Sequence, residues 1–324
     1  MSLLDETETG LALVYGDEAE GRSWIGRRLP PRVCEDEVNW PTIKHFCALV
    51  GDRNPLYWDE AFARALYGAI PSPPGMLFVW SMPPLWRPDA LEYPPTVSTQ
   101  APLPGNTIIN VSTESEFLAP ILVGDHLSVE EAVADVTPRK QTALGSGHFI
   151  ASDVTCRNQR GETVARHQNV LFRYQTSDET ATPSVTAAVP GESFPATDSL
   201  PEVVLPVTLR LCIHDAAATR DYFPGHHDRD YARAQGVRDA FLTMFFHGFT
   251  DRVMTDWAGP RATILKRRLR MLAPVCVGDT IRTRAHVAAR KREGSRELAD
   301  VRVEVRTEHG TGAEALVTCA LASR

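Results

Sequence analysis

The chain has 324 residues, long enough for two domains of ordinary size. With 43% hydrophobic and 23% charged residues it has the composition of a globular protein with packed cores, and a net charge of −7 argues against a nucleic-acid surface. No run approaches the roughly 18 apolar residues of a spanning helix, and the acidic start Met1-Ser2-Leu3-Leu4-Asp5-Glu6 lacks a basic and then apolar leader, so a cytoplasmic protein off the membrane is expected.

In chain order, the first motif is Gly51-Asp52-Arg53-Asn54-Pro55-Leu56-Tyr57-Trp58-Asp59, ahead of a helical run from Glu60 to Leu66. Asp59 sits where a helix N-cap belongs. A second helix begins at Met76 but meets Pro83 and Pro84 at once, followed by Pro88, Pro94, Pro95, Pro102 and Pro104. Interior proline costs a helix about 3 kcal/mol. This helix is therefore predicted to be short, leaving an apolar cavity with Phe78, Trp80, Leu85 and Trp86 as candidate lining. A lid or a dimer contact is the other use for so irregular a segment. Leu118-Ala119-Pro120-Ile121-Leu122-Val123-Gly124-Asp125 then reads as a strand end and tight turn, and His126 to Val133 alternates as a strand. A further turn is expected at Arg160-Gly161.

From Ser177 the chain turns to Ser, Thr, Ala and Pro without apolar periodicity, which marks a linker, placed at 177–204, between domains at 1–176 and 205–324. Beyond it the motifs return. Arg220-Asp221-Tyr222-Phe223-Pro224-Gly225-His226-His227-Asp228 keeps the first motif's spacing of Asp, Pro and Asp, with Asp228 as the N-cap. Phe241 to Phe249 reads as a buried helix. Leu272-Ala273-Pro274-Val275-Cys276-Val277-Gly278-Asp279 repeats the earlier turn at six of eight positions. Strands are predicted at 262–272, 280–289, 297–307 and 314–322, with a turn at His309-Gly310. One long helix followed by antiparallel strands, twice over, is an α+β pattern that points to duplication. Cys34, Cys47, Cys156, Cys212, Cys276 and Cys319 form no C-x-x-C pair and suit a reducing compartment. His214-Asp215 and His247-Gly248 lack a third ligand at metal spacing, so no metal is expected. Lys266, Arg268 and Arg270, and the run Arg290-Lys291-Arg292, are basic patches open to two readings: a solvated face, or contacts to phosphate.

The segment Gly51 to Ala63 resembles the hydratase signature of MaoC-like dehydratases, the type-2 enoyl-CoA hydratases, whose pattern runs Gly-Asp-x-Asn-Pro-Leu-His-x-Asp. Asp221 to Asp228 matches it at Asp, Pro, His and the last Asp. The likeness extends to the paired hydratases of sterol side-chain β-oxidation, as though fused in one chain. The resemblance implies a tandem double hotdog, each a curved antiparallel sheet around a helix, with the active site between the two. It implies that Asp221 and His226 are the catalytic pair and that a backbone N–H at Met244 holds the oxyanion. Phe223 replaces the family asparagine, which removes a polar partner from Asp221. Tyr57 stands where the first half would need histidine. A phenol with an ordinary pKa near 10 suits proton transfer poorly. That half is thus expected to shape the substrate pocket, with Asp52, Tyr57, Gly75, Phe78 and Trp80 as candidate lining. Turn and capping bonds are the other use for Asp52 and Asn54. The expected substrate is an enoyl-CoA thioester with a bulky acyl group, a steroid-derived one among the candidates, hydrated to the (3R)-hydroxyacyl-CoA. No cofactor is expected beyond the coenzyme A of the substrate, whose phosphates Lys266, Arg268 and Arg270 would meet. A homodimer is expected. Two other readings stay open: a dehydratase on a carrier-bound thioester, and a non-catalytic acyl-thioester-binding protein.

Overall fold

The computed structural model describes residues 13–84, 96–142, 144–175 and 199–322. In the first half, α1 (Glu18–Arg22), β1 (Arg32–Val33), α2 (Trp40–Val50), α3 (Pro55–Trp58), α4 (Glu60–Tyr67) and α5 (Val97–Gln100) precede the main strands. These are β2 (Thr107–Phe117), β3 (Ser128–Val136), β4 (Lys140–Thr142), β5 (Gly145–Arg157) and β6 (Thr163–Gln175). The second half holds β7 (Val204–Pro206), α6 (Leu209–Thr219), α7 (Arg229–Ala234) and α8 (Phe245–Ala258). It closes with β8 (Thr263–Met271), β9 (Thr280–Glu293), β10 (Arg296–Thr307) and β11 (Gly310–Ala320).

All these strands join one antiparallel sheet in the order β1-β3-β5-β6-β2-β8-β11-β10-β9-β7, with β4 beside β5. Read outward from the β2–β8 seam, the two halves have the same order. The duplication extends to single hydrogen bonds. Ser72 N–H donates to the Ile121 carbonyl as Leu242 N–H donates to Val275, and Gly124 N–H donates to Val38 as Gly278 N–H donates to Val207. The repeated turns each bury their aspartate, whose carboxylate accepts the N–H of Leu122 in one half and of Cys276 in the other. Asp59 and Asp228 cap α4 and α7 as their positions predict. The fold is thus the tandem double hotdog expected.

The halves differ in the central helix. In the second, α8 spans fourteen residues and buries ten of them against its sheet. In the first, the described residues of this segment form two single 3₁₀ turns, Pro74–Met76 and Val79–Ser81, ahead of Pro83 and Pro84. Leu85 and Trp86 lie outside the described residues. The expected linker is also outside them as far as residue 198. From Ser199 the chain already runs along β9, first through a bridge to His286 and then as β7. No helix among the described residues is long and apolar enough to cross a membrane.

Candidate active site

The second-half motif sits where α6 ends. Arg220 closes that helix in the left-handed conformation (φ 62°), the one non-glycine residue to do so among those described, and Gly51 takes the same conformation after α2. The reversal turns Asp221 inward. Its carboxylate oxygen Oδ2 lies 3.5 Å from Nε2 of His226, so the two residues paired by the resemblance meet in space. His226 is buried, wedged edge-on between Phe223 and Phe241. Its Nδ1 is 3.0 Å from the Phe241 carbonyl, which calls for a proton on Nδ1 and leaves Nε2 as an acceptor. Burial lowers the His226 pKa below the usual imidazole value, and the Asp221 charge and the Phe241 carbonyl offset part of that. The ring is therefore neutral near neutral pH. Two acceptors facing each other at this distance suit a water that donates one hydrogen to each.

The polar partner that Phe223 removes is supplied from elsewhere. Thr243 Oγ1 donates to Asp221 Oδ2 at 2.9 Å, while Phe223 keeps only a long backbone contact, 3.4 Å from its N–H to Oδ1. Sequence reasoning missed Thr243, although it stands directly before Met244. A hydroxyl at a helix entrance was the only signal. Met244 opens α8 as its N-cap residue, so its N–H lies at the positive end of the helix, ahead of the helix's own hydrogen-bond ladder.

The first half keeps the aspartate, Asp52, but lacks the rest of this equipment. The matched bonds of Ser72 and Leu242 place Pro73 and Pro74 at the positions of Thr243 and Met244, so both the hydroxyl and the N–H are missing. Asp52 accepts the Asn54 N–H at 2.8 Å, and its pKa is raised to about 6, chiefly by burial. It faces an open cavity of about 610 Å³ that is also lined by Trp58, Asp59 and Arg252. Tyr57 is buried, and desolvation pushes its phenol well above its ordinary pKa.

Two groups of expected substrate contacts have other partners within the protein. Gly75 is buried at the boundary between the halves. A Cβ there would lie 2.7 Å from the backbone of Gly248, so the residue is where the two central segments cross. Lys266, Arg268 and Arg270 alternate with buried Ile264, Arg267 and Leu269 along β8, so they point to the outer face, away from α8. They pair there with Glu116 (2.8 Å), Glu114 (3.9 Å) and Glu314 (2.7 Å). The first two pairs face each other across the seam and join the halves. Arg290 likewise pairs with Glu297 across its own hairpin. Phe78 packs against two histidines. It lies half-buried between the halves, its ring 4.5 Å from His167 of β6 and 5.0 Å from His247 of α8. Trp80 is core, its indole N–H bonded to Ser72 Oγ at 2.9 Å. Asp279, Glu308 and His309 approach one another as three ligand-type side chains, but Arg238 grips both oxygens of Asp279.

Residues 23–167 match the family described as FAS1-like, dehydratase domain region. Among curated proteins, the chain is 36% identical over 177 residues to a probable enoyl-CoA hydratase alpha subunit of Thermomonospora curvata, covering 49% of this chain and 53% of that protein. It is 41% identical over 91 residues to a 3-oxo-4,17-pregnadiene-20-carboxyl-CoA hydratase beta subunit of Mycobacterium tuberculosis, covering 28% of this chain and 70% of that one. The chain spans about half the length, or less, of the alpha subunits it matches. Among solved structures, a MaoC-like dehydratase superposes with a TM-score of 0.71 at 16% identity, over 94% of this chain and 100% of the other.

Proposed function

Because the chain belongs to the family of MaoC-like dehydratases and type-2 enoyl-CoA hydratases, we propose that it is a hydro-lyase adding water to a trans-2-enoyl-CoA. The observation that carries this reading is the pair of facing acceptors, Asp221 Oδ2 and His226 Nε2, beside the N-terminus of α8. Asp221 and His226 hold the water between them and take a proton from it as its oxygen bonds to the β-carbon. The π electrons move onto the thioester oxygen, where Met244 N–H and the positive end of α8 stabilise the enolate. A proton returned to the α-carbon completes the addition, and the product is the (3R)-hydroxyacyl-CoA. Thr243 holds Asp221 in register throughout. The coenzyme A is part of the substrate, and the reading needs no other cofactor.

A bulky, steroid-like acyl group is the substrate class we favour. Two things support it: the curated relative named for a pregnadiene-carboxyl-CoA, and a first-half helix reduced to two turns around Phe78. The match to a dehydratase region favours, as a second reading, the same chemistry run in reverse. The test is hydration of a panel of enoyl-CoAs, from crotonyl to a steroid side-chain thioester, with chiral analysis of the product. Activity on bulky thioesters that falls at least about 100-fold in both Asp221→Asn and His226→Ala is the expected result. Full activity in either variant would overturn the assignment.

A further inference from the structure

One more carboxyl belongs to this corner of the fold, and the mechanism above does not use it. Asp215, on α6, has no exposed surface. Its Oδ2 accepts the Thr243 N–H at 2.8 Å, and Oδ1 is buried without a hydrogen-bond partner. The same threonine therefore binds two carboxyl groups, Asp215 through its N–H and Asp221 through its hydroxyl. The groups facing Asp215 can be named element by element. From the loop after α6 comes the Asp221 carboxyl, and from the start of α8 come the N–H groups of Thr243 and Phe245. On its own helix there is the buried Cys212 thiol, itself pushed up to about 12 mainly by desolvation. None of the described ion pairs brings a cation to it. A charged carboxylate so placed is disfavoured, because the two N–H groups offset only part of its lost hydration and none of the described ion pairs adds a cation.

We infer that Asp215 is a positioning residue that works as an uncharged carboxylic acid, holding Thr243 so that its hydroxyl stays on Asp221, and that its ionisation shuts the site on the alkaline side. The inference rests on the hydratase reading for its effect on rate, but not for the state of the acid itself. A neutral Asp215 orients Thr243 and leaves the positive end of α8 free for the enolate oxygen. An ionised Asp215 adds a second negative charge beside Asp221 and cancels the field that the enolate needs. Burial, with the like charge of Asp221 adding to it, raises the Asp215 pKa to about 8, while the two N–H groups pull the other way. The neutral form thus prevails up to neutrality and is lost through about pH 8.

Asp215→Asn tests this, since the amide keeps both the shape and the acceptor for Thr243 N–H but cannot ionise. For the wild type, kcat/KM on an accepted enoyl-CoA is expected to hold up to neutrality and fall through about pH 8. For the variant it should stay within about threefold of wild type at pH 7, with the alkaline fall displaced upward by about one pH unit or more. A purely structural role would not move that limb. The second measurement needs no substrate: the infrared difference between wild type and Asp215→Asn, both labelled with ¹³C-aspartate. A protonated-carboxyl band near pH 6 that vanishes through about pH 8 upholds the buried acid. Its absence overturns the inference even in an active enzyme, and so does an unchanged alkaline limb in the variant. If the wild type hydrates nothing, the proposed function falls and the infrared band still decides the state of Asp215.

Discussion

Thr243 holds the carboxylate of Asp221, the proposed catalytic aspartate, where the hydratase signature has an asparagine and this chain has Phe223. A hydrogen bond to a charged group is worth about 1.5–3 kcal/mol, so removing this hydroxyl should slow the reaction roughly 10- to 100-fold. Thr243→Val keeps the shape and the backbone N–H. We expect its kcat to fall by that factor with KM little changed, and Thr243→Ser to recover most of the rate. Steady-state kinetics of the two variants decides this, and equal rates for valine and threonine would remove the role. The acid side belongs to His226. Its folded pKa lies below the ordinary imidazole value, so the base form persists as pH falls and is lost only when pH drops through that lowered value. The acid limb of kcat/KM is therefore expected below pH 6.5, and a limb above it would contradict the buried neutral ring. Asp221 and His226 were legible because the motif that holds them resembles the hydratase signature. Thr243 was not, because its partner lies 22 residues away and no local pattern links the two.

Among the elements, the contrast between α8 and the first-half 3₁₀ turns is the main structural difference between the halves. It was readable because proline acts locally: Pro83 and Pro84 end a helix whatever surrounds them. The crossing of the two central segments was not readable, since a glycine in a helical run looks merely permissive. Gly75 and Gly248 touch backbone to backbone, and a Cβ on Gly248 would come 2.4 Å from the Phe46 ring. Phe46 is a side chain with some freedom to shift, whereas the backbone facing Gly75 has little. Gly75→Ala is thus expected to be the more damaging, at roughly 1–3 kcal/mol of stability by overpacking. Denaturant titration of both variants checks the order, and a Gly75→Ala protein as stable as wild type would mean that the crossing is looser than drawn. The basic residues of β8 show the opposite failure. Strand alternation was visible in the sequence, but which face turns outward depends on the neighbouring half, and Lys266 and Arg268 find their partners there.

Across the whole molecule, the two halves share one sheet and are also bolted through a buried polar cluster beneath the β2–β8 seam. Arg267 of β8, almost wholly buried, bonds the Asp251 carboxylate and the His247 carbonyl of α8. Its guanidinium lies 5.4 Å from the Phe117 ring of the first half. The imidazoles nearby cannot share the charge. Burial and the Arg267 charge lower His167 to about 3 and His247 well below its usual value, so both stay neutral. Asp251 is therefore the counter-ion of a cation that has no route to water. Taking it away strands a buried charge, which typically costs about 3–5 kcal/mol, whereas replacing both partners with apolar side chains is often neutral or better. Asp251→Ala is expected to lose stability on that scale, with activity falling as the seam loosens. The pair Arg267→Met with Asp251→Leu is expected to regain most of the stability, because the penalty comes from the unpaired charge rather than from the lost contact. Equilibrium unfolding of the wild type, the single variant and the double variant measures this. A double variant no more stable than Asp251→Ala would show instead that the ion pair sets the geometry between the halves, and its hydratase rate would then fall with its stability.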